Sequence, residues 1–326
     1  MGSLKMIWFK REQGNPQIAT LIKLASLLAM VVLPTIGAAQ NYEALPIHAD
    51  YVFPERSDFD SDRAYRDAFR TVKNRLSAAR SAVGEAVKSG SANFGADGDK
   101  YMLQYRLASM TQPEDRYLSR LGSARADFLK LYMDRSSPAV RRNVIAKVLP
   151  QLEKLALSEQ FHPAVRLNAV TMIGLLDARV GESSSPPVPS PEAYASLKKI
   201  WATADTLDAV RAGALSGIRR FAEISRRSAS EESIAGEIKG EMIAILDGKA
   251  AGQDKWKPDF DYWMKRRATQ ILGFIGEGDD TVAAIAKVMK QPSGENERNN
   301  FWLRHDGLVA LANLKFNRLN LSLIHI

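Results

Sequence analysis

The chain has 326 residues, 45% of them hydrophobic and 25% charged, with a formal net charge of +8; this is ordinary globular composition and enough chain for a sizeable core. Cysteine is absent, which excludes disulfides, thiolate catalysis, zinc–thiolate sites and covalent haem attachment together. Setting aside an amino-terminal leader that carries four bases and one acid lowers the net charge to +5, too mild for the footprint of a nucleic-acid binder.

Residues 1–39 read as an export signal. Lys5, Lys10, Arg11 and Lys23 are its bases and Glu12 its acid; an apolar stretch runs from Leu24 to Ile36, and Gly37-Ala38-Ala39 places small residues where a signal peptidase cuts. Cleavage after Ala39 leaves Gln40 as the mature amino terminus, in the periplasm or outside the cell. No cysteine follows the apolar run, so a lipoprotein anchor is not expected. The alternative is an uncleaved membrane anchor, which Lys23 and Pro34 disfavour by keeping the apolar run below the ~20 residues of a span.

Residues 40–62 hold two prolines, Pro46 and Pro54, and no helical period, so they are expected to be an extended lead-in. Residues 63–135 are expected to be an N-terminal helical segment. Ser57 to Asp62 caps a helix from Arg63 to Lys88 with the stripe Ala64, Phe69, Val72, Leu76, Ala79 and Val83. The run SGSANFGADGDK breaks it, and another helix follows near Asp115 to Met133.

From Ser136 onward the sequence repeats itself. Val165-Arg166-x-x-Ala169 returns as Val210-Arg211-x-x-Ala214, Met264-Lys265-x-x-Ala268 and Leu303-Arg304-x-x-Gly307, at intervals of 45, 54 and 39 residues. Apolar residues follow at +8 (Ile173, Ile218, Leu272, Leu311) and at +11 (Leu176, Phe221, Ile275, Leu314). Offsets 0, 4, 8 and 11 share one stripe of a helix, so each copy predicts an amphipathic helix, and the intervals suit stacked units rather than heptads. A divergent first copy begins at Val140-Arg141 in a helix from Pro138 to Leu157. The remaining helices are expected at Pro163–Arg179, Glu192–Ala202, Ala209–Ser225, Ser233–Leu246, Tyr262–Ile275, Thr281–Met289 and Asn299–Leu314. The loop DGKAAGQDKWKPDFD is the longest insertion among them.

This alternation of helices, with P/D-x-V-R-x-x-A-x-x-x-[IL] opening the first of each pair, resembles the HEAT-repeat family, and in particular its irregular members among exported bacterial proteins. The resemblance covers Ser136 to Leu314 and implies an all-α fold, an α-solenoid of antiparallel helix pairs across residues 136–320. It implies that the residue before each base packs in the core. It also implies that Arg166, Arg211, Lys265 and Arg304 form a ladder toward neighbouring repeats, often onto an acid in the preceding turn. Lys265 departs from the pattern because it lacks the planar fork of arginine. The resemblance further implies that second helices line a concave face, which makes Lys198, Lys239, Glu241 and Lys287 candidate partner contacts, with the Trp256 to Trp263 insertion a second candidate. Residues 321–326 (LSLIHI) look like the translation of a sequencing-library adapter, and the native chain is expected to continue past Asn320.

No constellation of base, nucleophile or metal ligands emerges, and no cofactor is expected. His48, His162 and His305 are not spaced as ligands. Asp58-x-Asp60-x-Asp62 begins like a calcium loop, but Arg63 and Phe69 stand where glycine and a bidentate glutamate are needed. Gly273-x-x-Gly276-x-Gly278 follows a helix and precedes Asp279-Asp280, which reads as a helix-terminating loop. Gly213-x-x-x-Gly217 and Gly236-x-x-x-Gly240 are expected to let helix backbones approach closely. Arg141-Arg142, Arg219-Arg220, Arg226-Arg227 and Lys265-Arg266-Arg267, interleaved with Trp256, Tyr262, Trp263 and Trp302, keep a polyanion surface open as a second reading. The functional expectation is a non-catalytic exported scaffold for a protein partner. Beside it stand an accessory region of an enzyme whose catalytic domain lies beyond residue 320, and a membrane-anchored scaffold.

Overall fold

The computed structural model describes residues 41–134, 136–181, 185–203, 205–225, 232–290 and 297–314. The leader, Arg226-Arg227 and the last six residues lie outside the described residues. Twelve α-helices account for most of what is described, joined by one two-stranded hairpin; the fold is all-α. No described helix is long and apolar enough to cross a membrane.

Helix α1 (Asp62–Lys88) starts where Ser61 Oγ accepts the Ala64 N–H at 3.2 Å, and it ends before Gly90 at φ +74°. Its buried stripe is Val72, Ala79, Val83 and Val87. Ala64 is exposed, and Phe69 is 38% exposed with its ring 4.7 Å from that of Phe53. The expected stripe thus begins too early: the core meets only the later turns, and the first turns carry a small aromatic cluster on the lead-in.

The segment expected to break the helix does end it at Lys88, and its second half forms a helix of its own. Helix α2 (Gly95–Tyr101) continues directly into a π-helical turn, Met102–Leu107. Its glycines and acids gave no helical signal, but Phe94, Tyr101, Met102 and Leu107 are all buried, and tertiary burial overrides weak propensity. Gly98 is required at the crossing with α1, since a Cβ there would lie 2.7 Å from Phe94 Cβ and 3.2 Å from Val83 Cγ2. The next expected helix is two pieces, α3 (Asp115–Leu118) and α4 (Leu121–Tyr132), separated by a break that no glycine or proline marks.

Helix α5 (Pro138–Leu157) has the predicted bounds, with Ser137 Oγ accepting from the Val140 N–H. Helix α6 (Pro163–Ile173) is shorter than expected. The chain leaves it at Gly174, and Asp177–Arg179 (β1) pairs antiparallel with Val188–Pro189 (β2). Helices α7 (Pro191–Ala202), α8 (Asp208–Ser225), α9 (Glu232–Asp247), α10 (Pro258–Ile275), α11 (Asp279–Met289) and α12 (Glu297–Asn313) follow. Helix α10 opens four residues before its predicted start because Pro258 supplies a first-turn residue that needs no N–H partner.

Packing is between neighbours. Helices α5, α6, α8, α10 and α12 touch in succession, while α7 lies on α8, α9 on α10, and α11 on α9 and α12. At offsets 0, +4, +8 and +11 every residue of the four full copies is buried except Ile275, which is partly buried. One continuous core runs from Tyr51 to Leu314.

Small residues set the spacing. A Cβ on Gly217 would lie 2.7 Å from Leu197 Cδ1 and 3.2 Å from Gly174 Cα, and one on Gly213 would lie 2.6 Å from Val170 Cγ1. Gly213 and Gly217 therefore seat α8 against α6 and α7, whereas Gly240 has nothing within 4 Å of a Cβ. The close approach expected of both glycine pairs belongs to the first alone among the positions described. Gly273 faces α12: a Cβ there would fall 2.6 Å from Ala310 Cα. In Gly273→Ala that clash outweighs the ~1 kcal/mol gain in helix propensity, for a net loss of about 1–2 kcal/mol. Gly240→Ala keeps the gain and raises stability by up to about 1 kcal/mol. Urea unfolding of the two variants checks the opposite signs.

Candidate functional site

In three copies the base at +1 acts on the segment just before it. Arg141 Nε donates to the Met133 carbonyl (3.1 Å) and to Ser136 Oγ (3.1 Å). Arg166 Nε donates to the Ala156 carbonyl at 3.1 Å. Met133 is the C-cap of α4 and Ala156 lies in the last turn of α5, where carbonyls have no helical partner and the helix dipole is negative. Both arginines thus donate to a backbone carbonyl of the preceding segment, and the acid Glu159 adds a favourable charge beside Arg166. Arg211 reaches the same place by other chemistry. Its guanidinium carbon lies 4.9 Å from the ring centre of Trp201 in the last turn of α7, 5.3 Å from Trp256 and 5.8 Å from Phe260. These arginines are 5–7% exposed. Burial pulls the pKa of Arg166 and Arg211 down, against the opposing charges of Glu159 and Asp208.

Lys265 and Arg304 behave differently. Lys265 Nζ pairs with Asp261 at 2.7 Å, one turn back in its own helix, and Arg304 is exposed. For Lys265 the reason is loop length. Arg141, Arg166 and Arg211 follow their docking residues Met133, Ala156 and Trp201 by 8, 10 and 10 positions. The insertion after α9 puts Lys265 18 residues past Asp247, too far along the chain for the same dock.

The residues expected to contact a partner are mostly engaged within the fold. Lys239 Nζ donates to the Glu277 carbonyl (2.6 Å) and pairs with Asp280 (2.8 Å). Glu241 accepts the Trp201 indole N–H at 3.0 Å, and Lys287 pairs with Asp247 at 2.6 Å. Lys198 lies over the Tyr194 ring, Trp256 packs edge-on against Trp201 and Phe260, and Trp263 lies under Arg267 at 4.7 Å. These contacts tie second helices to each other and to the following first helix.

Two of the basic clusters that left a polyanion surface open as a second reading come together in one patch. Arg219 on α8 and Arg266 and Arg267 on α10 are near enough for both Arg219 and Arg266 to act electrostatically on Arg267. Burial pulls the Arg267 pKa down first, these two like charges pull it further, and the charge of Asp306 opposes them. Arg266 pairs with Asp306 (2.6 Å) and Arg219 with Glu223 (3.5 Å). Among the described residues Arg267 meets no carboxylate at ion-pair distance; it bonds Gln270 at 2.7 Å and lies on Trp263. Aromatic rings underlie the others too, Phe274 beneath Arg219 and Tyr262 and Trp302 beside Arg266. The sequence signal was present as basic doublets among tryptophans, but their pairing was not readable.

The histidines serve local structure. His162 Nδ1 accepts the Ala164 N–H at 3.1 Å and caps α6, and His48 Nδ1 accepts the Asp50 N–H at 3.2 Å; His305 is exposed beside Asp306. Of the Asp58–Asp62 acids, Asp62 pairs with Arg56 at 2.6 Å and Asp58 accepts the Glu55 N–H at 3.3 Å, while Ser61 is the cap. Gly278, at φ +90°, precedes α11. Among the described residues no group of three or more His, Asp or Glu is placed to hold a metal. A separate cavity of about 450 Å³ lies under the lead-in, lined by Leu45, Pro46, Ile47, His48, Leu103, Gln104, Leu107 and Gln151. No protein-family model, curated protein or solved structure matches this chain.

These ties can be tested by substitution. Arg211→Lys keeps the charge but loses the planar stack on three rings, and should cost about 1–2 kcal/mol in urea unfolding. Arg304→Lys, at the same register but exposed, should change stability by less than about 0.5 kcal/mol. Acid probes another tie. The Lys287 hydrogen bond holds the Asp247 carboxyl below its ordinary range. Such a group stabilises the fold above the ordinary carboxylate pKa of about 4, and that contribution is lost as pH falls through the depressed value. Lys287→Met should therefore lower the melting temperature by about 1–3 °C at pH 7 and by less at pH 2. Equal losses at both pH values would remove Asp247 from this account.

Proposed function

We propose that the chain is a HEAT-like α-solenoid, exported through residues 1–39, that works as a non-catalytic scaffold and binds an acidic segment of a protein partner. Support for the solenoid comes from the succession α5, α6, α8, α10, α12, each touching the next, and from the buried stripe that recurs at the same four offsets. Stacked helix pairs offer an extended surface that needs no reactive side chain.

The observation that carries the choice of partner is Arg267. It lies near two further arginines, and the one carboxylate that acts on it, Asp306, is ion-paired with Arg266 at 2.6 Å. A carboxylate from a partner would relieve like-charge repulsion on all three, and the planar forks of Arg219, Arg266 and Arg267 suit bidentate contacts. The contact face thereby moves from the second helices, whose Lys239 and Lys287 are already paired, to the surface shared by α8 and α10.

The test is fluorescence anisotropy with a labelled ten-residue Glu/Asp-rich peptide and with single-stranded DNA of matched charge. Wild type should bind the peptide, more weakly as salt rises. Arg219→Gln/Arg267→Gln, its fold checked by circular dichroism, should weaken binding at least tenfold, whereas Lys287→Gln should not. Peptide affinity unaltered in the double variant overturns the site. DNA bound more tightly than peptide would replace the acidic protein segment with a polyanion.

A further inference from the structure

We propose that the cavity beneath the Leu45–His48 strap is a binding site for an uncharged, mostly apolar small molecule that carries one hydrogen-bond acceptor. The strap is fixed on both sides. The Leu45 N–H donates to Thr111 Oγ1 (2.8 Å), the Gln112 side-chain amide donates to the Leu45 carbonyl (2.9 Å), and the His48 N–H donates to the Gln104 carbonyl (2.9 Å). Thr111 is fully buried, and its own hydroxyl proton goes to the Ala108 carbonyl at 2.8 Å. The strap therefore bridges the cavity between bonded ends instead of collapsing into it. Between those ends Pro46 has no N–H to satisfy, so the span over the cavity needs fewer backbone partners.

The opposite wall is the π-helical turn Met102–Leu107. A π turn is wider than an α turn, is rare, and occurs disproportionately at functional sites. It turns Leu103, Gln104 and Leu107 toward the cavity, with Leu107 buried and Leu103 half-buried. At about 450 Å³ the space falls within the range of about 300–1,000 Å³ found for small-ligand pockets. Leu45, Ile47, Leu103 and Leu107 make an apolar interior, while Gln104 and Gln151 are exposed at the mouth.

The lining also specifies charge. It contains neither lysine nor arginine, so a carboxylate drawn into it would lose hydration without gaining a counter-ion. His48 supplies the polar group: its Nδ1 faces the Asp50 N–H at 3.2 Å and Asp50 Oδ2 at 3.3 Å, so Nε2 is the ring nitrogen left to a ligand, and it donates whenever Nδ1 serves as the acceptor of the Asp50 N–H. An alcohol, ester or ketone on a short chain or ring fits this combination of apolar wall and single donor. The site uses none of the residues assigned to the acidic partner, so the two readings stand or fall separately.

The test is calorimetric titration of the whole chain with 1-octanol and with octanoate, followed by melting curves at saturating probe. Octanol should bind with one-to-one stoichiometry and raise the melting temperature, and octanoate should bind at least tenfold more weakly. Leu103→Trp, which fills the cavity, should abolish octanol binding. Should that variant fold poorly, Gln151→Trp on the exposed face of α5 closes the mouth from outside and should weaken binding at least tenfold. No heat and no shift with octanol in the wild type overturns the site. Equal affinity for octanoate overturns the charge selectivity, and unchanged binding in a folded Gln151→Trp variant places the ligand elsewhere.

Discussion

A guanidinium set at the start of one helix and received by the last turn of the helix before it is the contact on which the repeating half of this chain depends. The last carbonyls of a helix lack partners and carry the negative end of its dipole. Arg141 and Arg166 satisfy such carbonyls on α4 and α5 from the first turns of α5 and α6. Each contact joins the end of one element to the beginning of the next, so it fixes the angle at which the chain turns. Burying a guanidinium is expensive, and Arg166 Nη2 and Arg211 Nε remain buried without a hydrogen-bond partner. The position of the base is narrow in sequence, 8 to 10 residues after the turn it serves. Where the chain inserts a long loop before α10 the device lapses, and Lys265 turns to Asp261 in its own helix.

Between these corners, side-chain size decides how closely helices lie. The small residue at +4 is Ala169, Ala214, Ala268 or Gly307 in the four copies, and each is buried. At Gly307 a Cβ would fall 2.5 Å from Met289 Cγ, so the last copy needs glycine where the others tolerate alanine. The seam between α6 and α8 brings backbone to backbone, since a Cβ on Gly174 would fall 3.0 Å from Gly217 Cα. With the helices seated this closely, the polar residues on neighbouring helices fall within reach of one another. That is how Lys287 finds Asp247 and how Arg220 finds Asp177 at 2.7 Å.

What could be read from the sequence was whatever repeats or is punctuated. The stripe at 0, +4, +8 and +11 marks the buried face, and Ser137-Pro138 and His162-Pro163 mark helix starts that the structure places at those residues. Helix α2 was not legible because its cause lies elsewhere in the chain: Gly98 is needed only because Phe94 and Val83 crowd it. The β1–β2 hairpin was not legible either, being two or three residues per strand held in place by neighbours such as Arg220 on Asp177. The site was half legible. Basic doublets among tryptophans stood out, but whether each arginine meets an acid or a ring depends on which helices pack, and that is a tertiary fact. The π turn over the cavity leaves no sequence trace, since Met-Leu-Gln-Tyr-Arg-Leu suits an ordinary helix equally well.

The distinction between acid and ring as the companion of an arginine has a consequence for binding. An ion pair such as Arg220 with Asp177 cancels the charge it stabilises, so little field remains outside it. A cation over an aromatic face is stabilised by the ring quadrupole while its charge stays whole. Arg267 on Trp263 and Arg219 near Phe274 are of this second kind in whole or in part. The rings lower the cost of holding three arginines together, and the positive field they leave is available to an incoming carboxylate. With Arg219 paired to Glu223 and Arg266 to Asp306, the charge left over is that of Arg267, and its place is set by the packing of α8 on α10 rather than by the number of bases in the sequence.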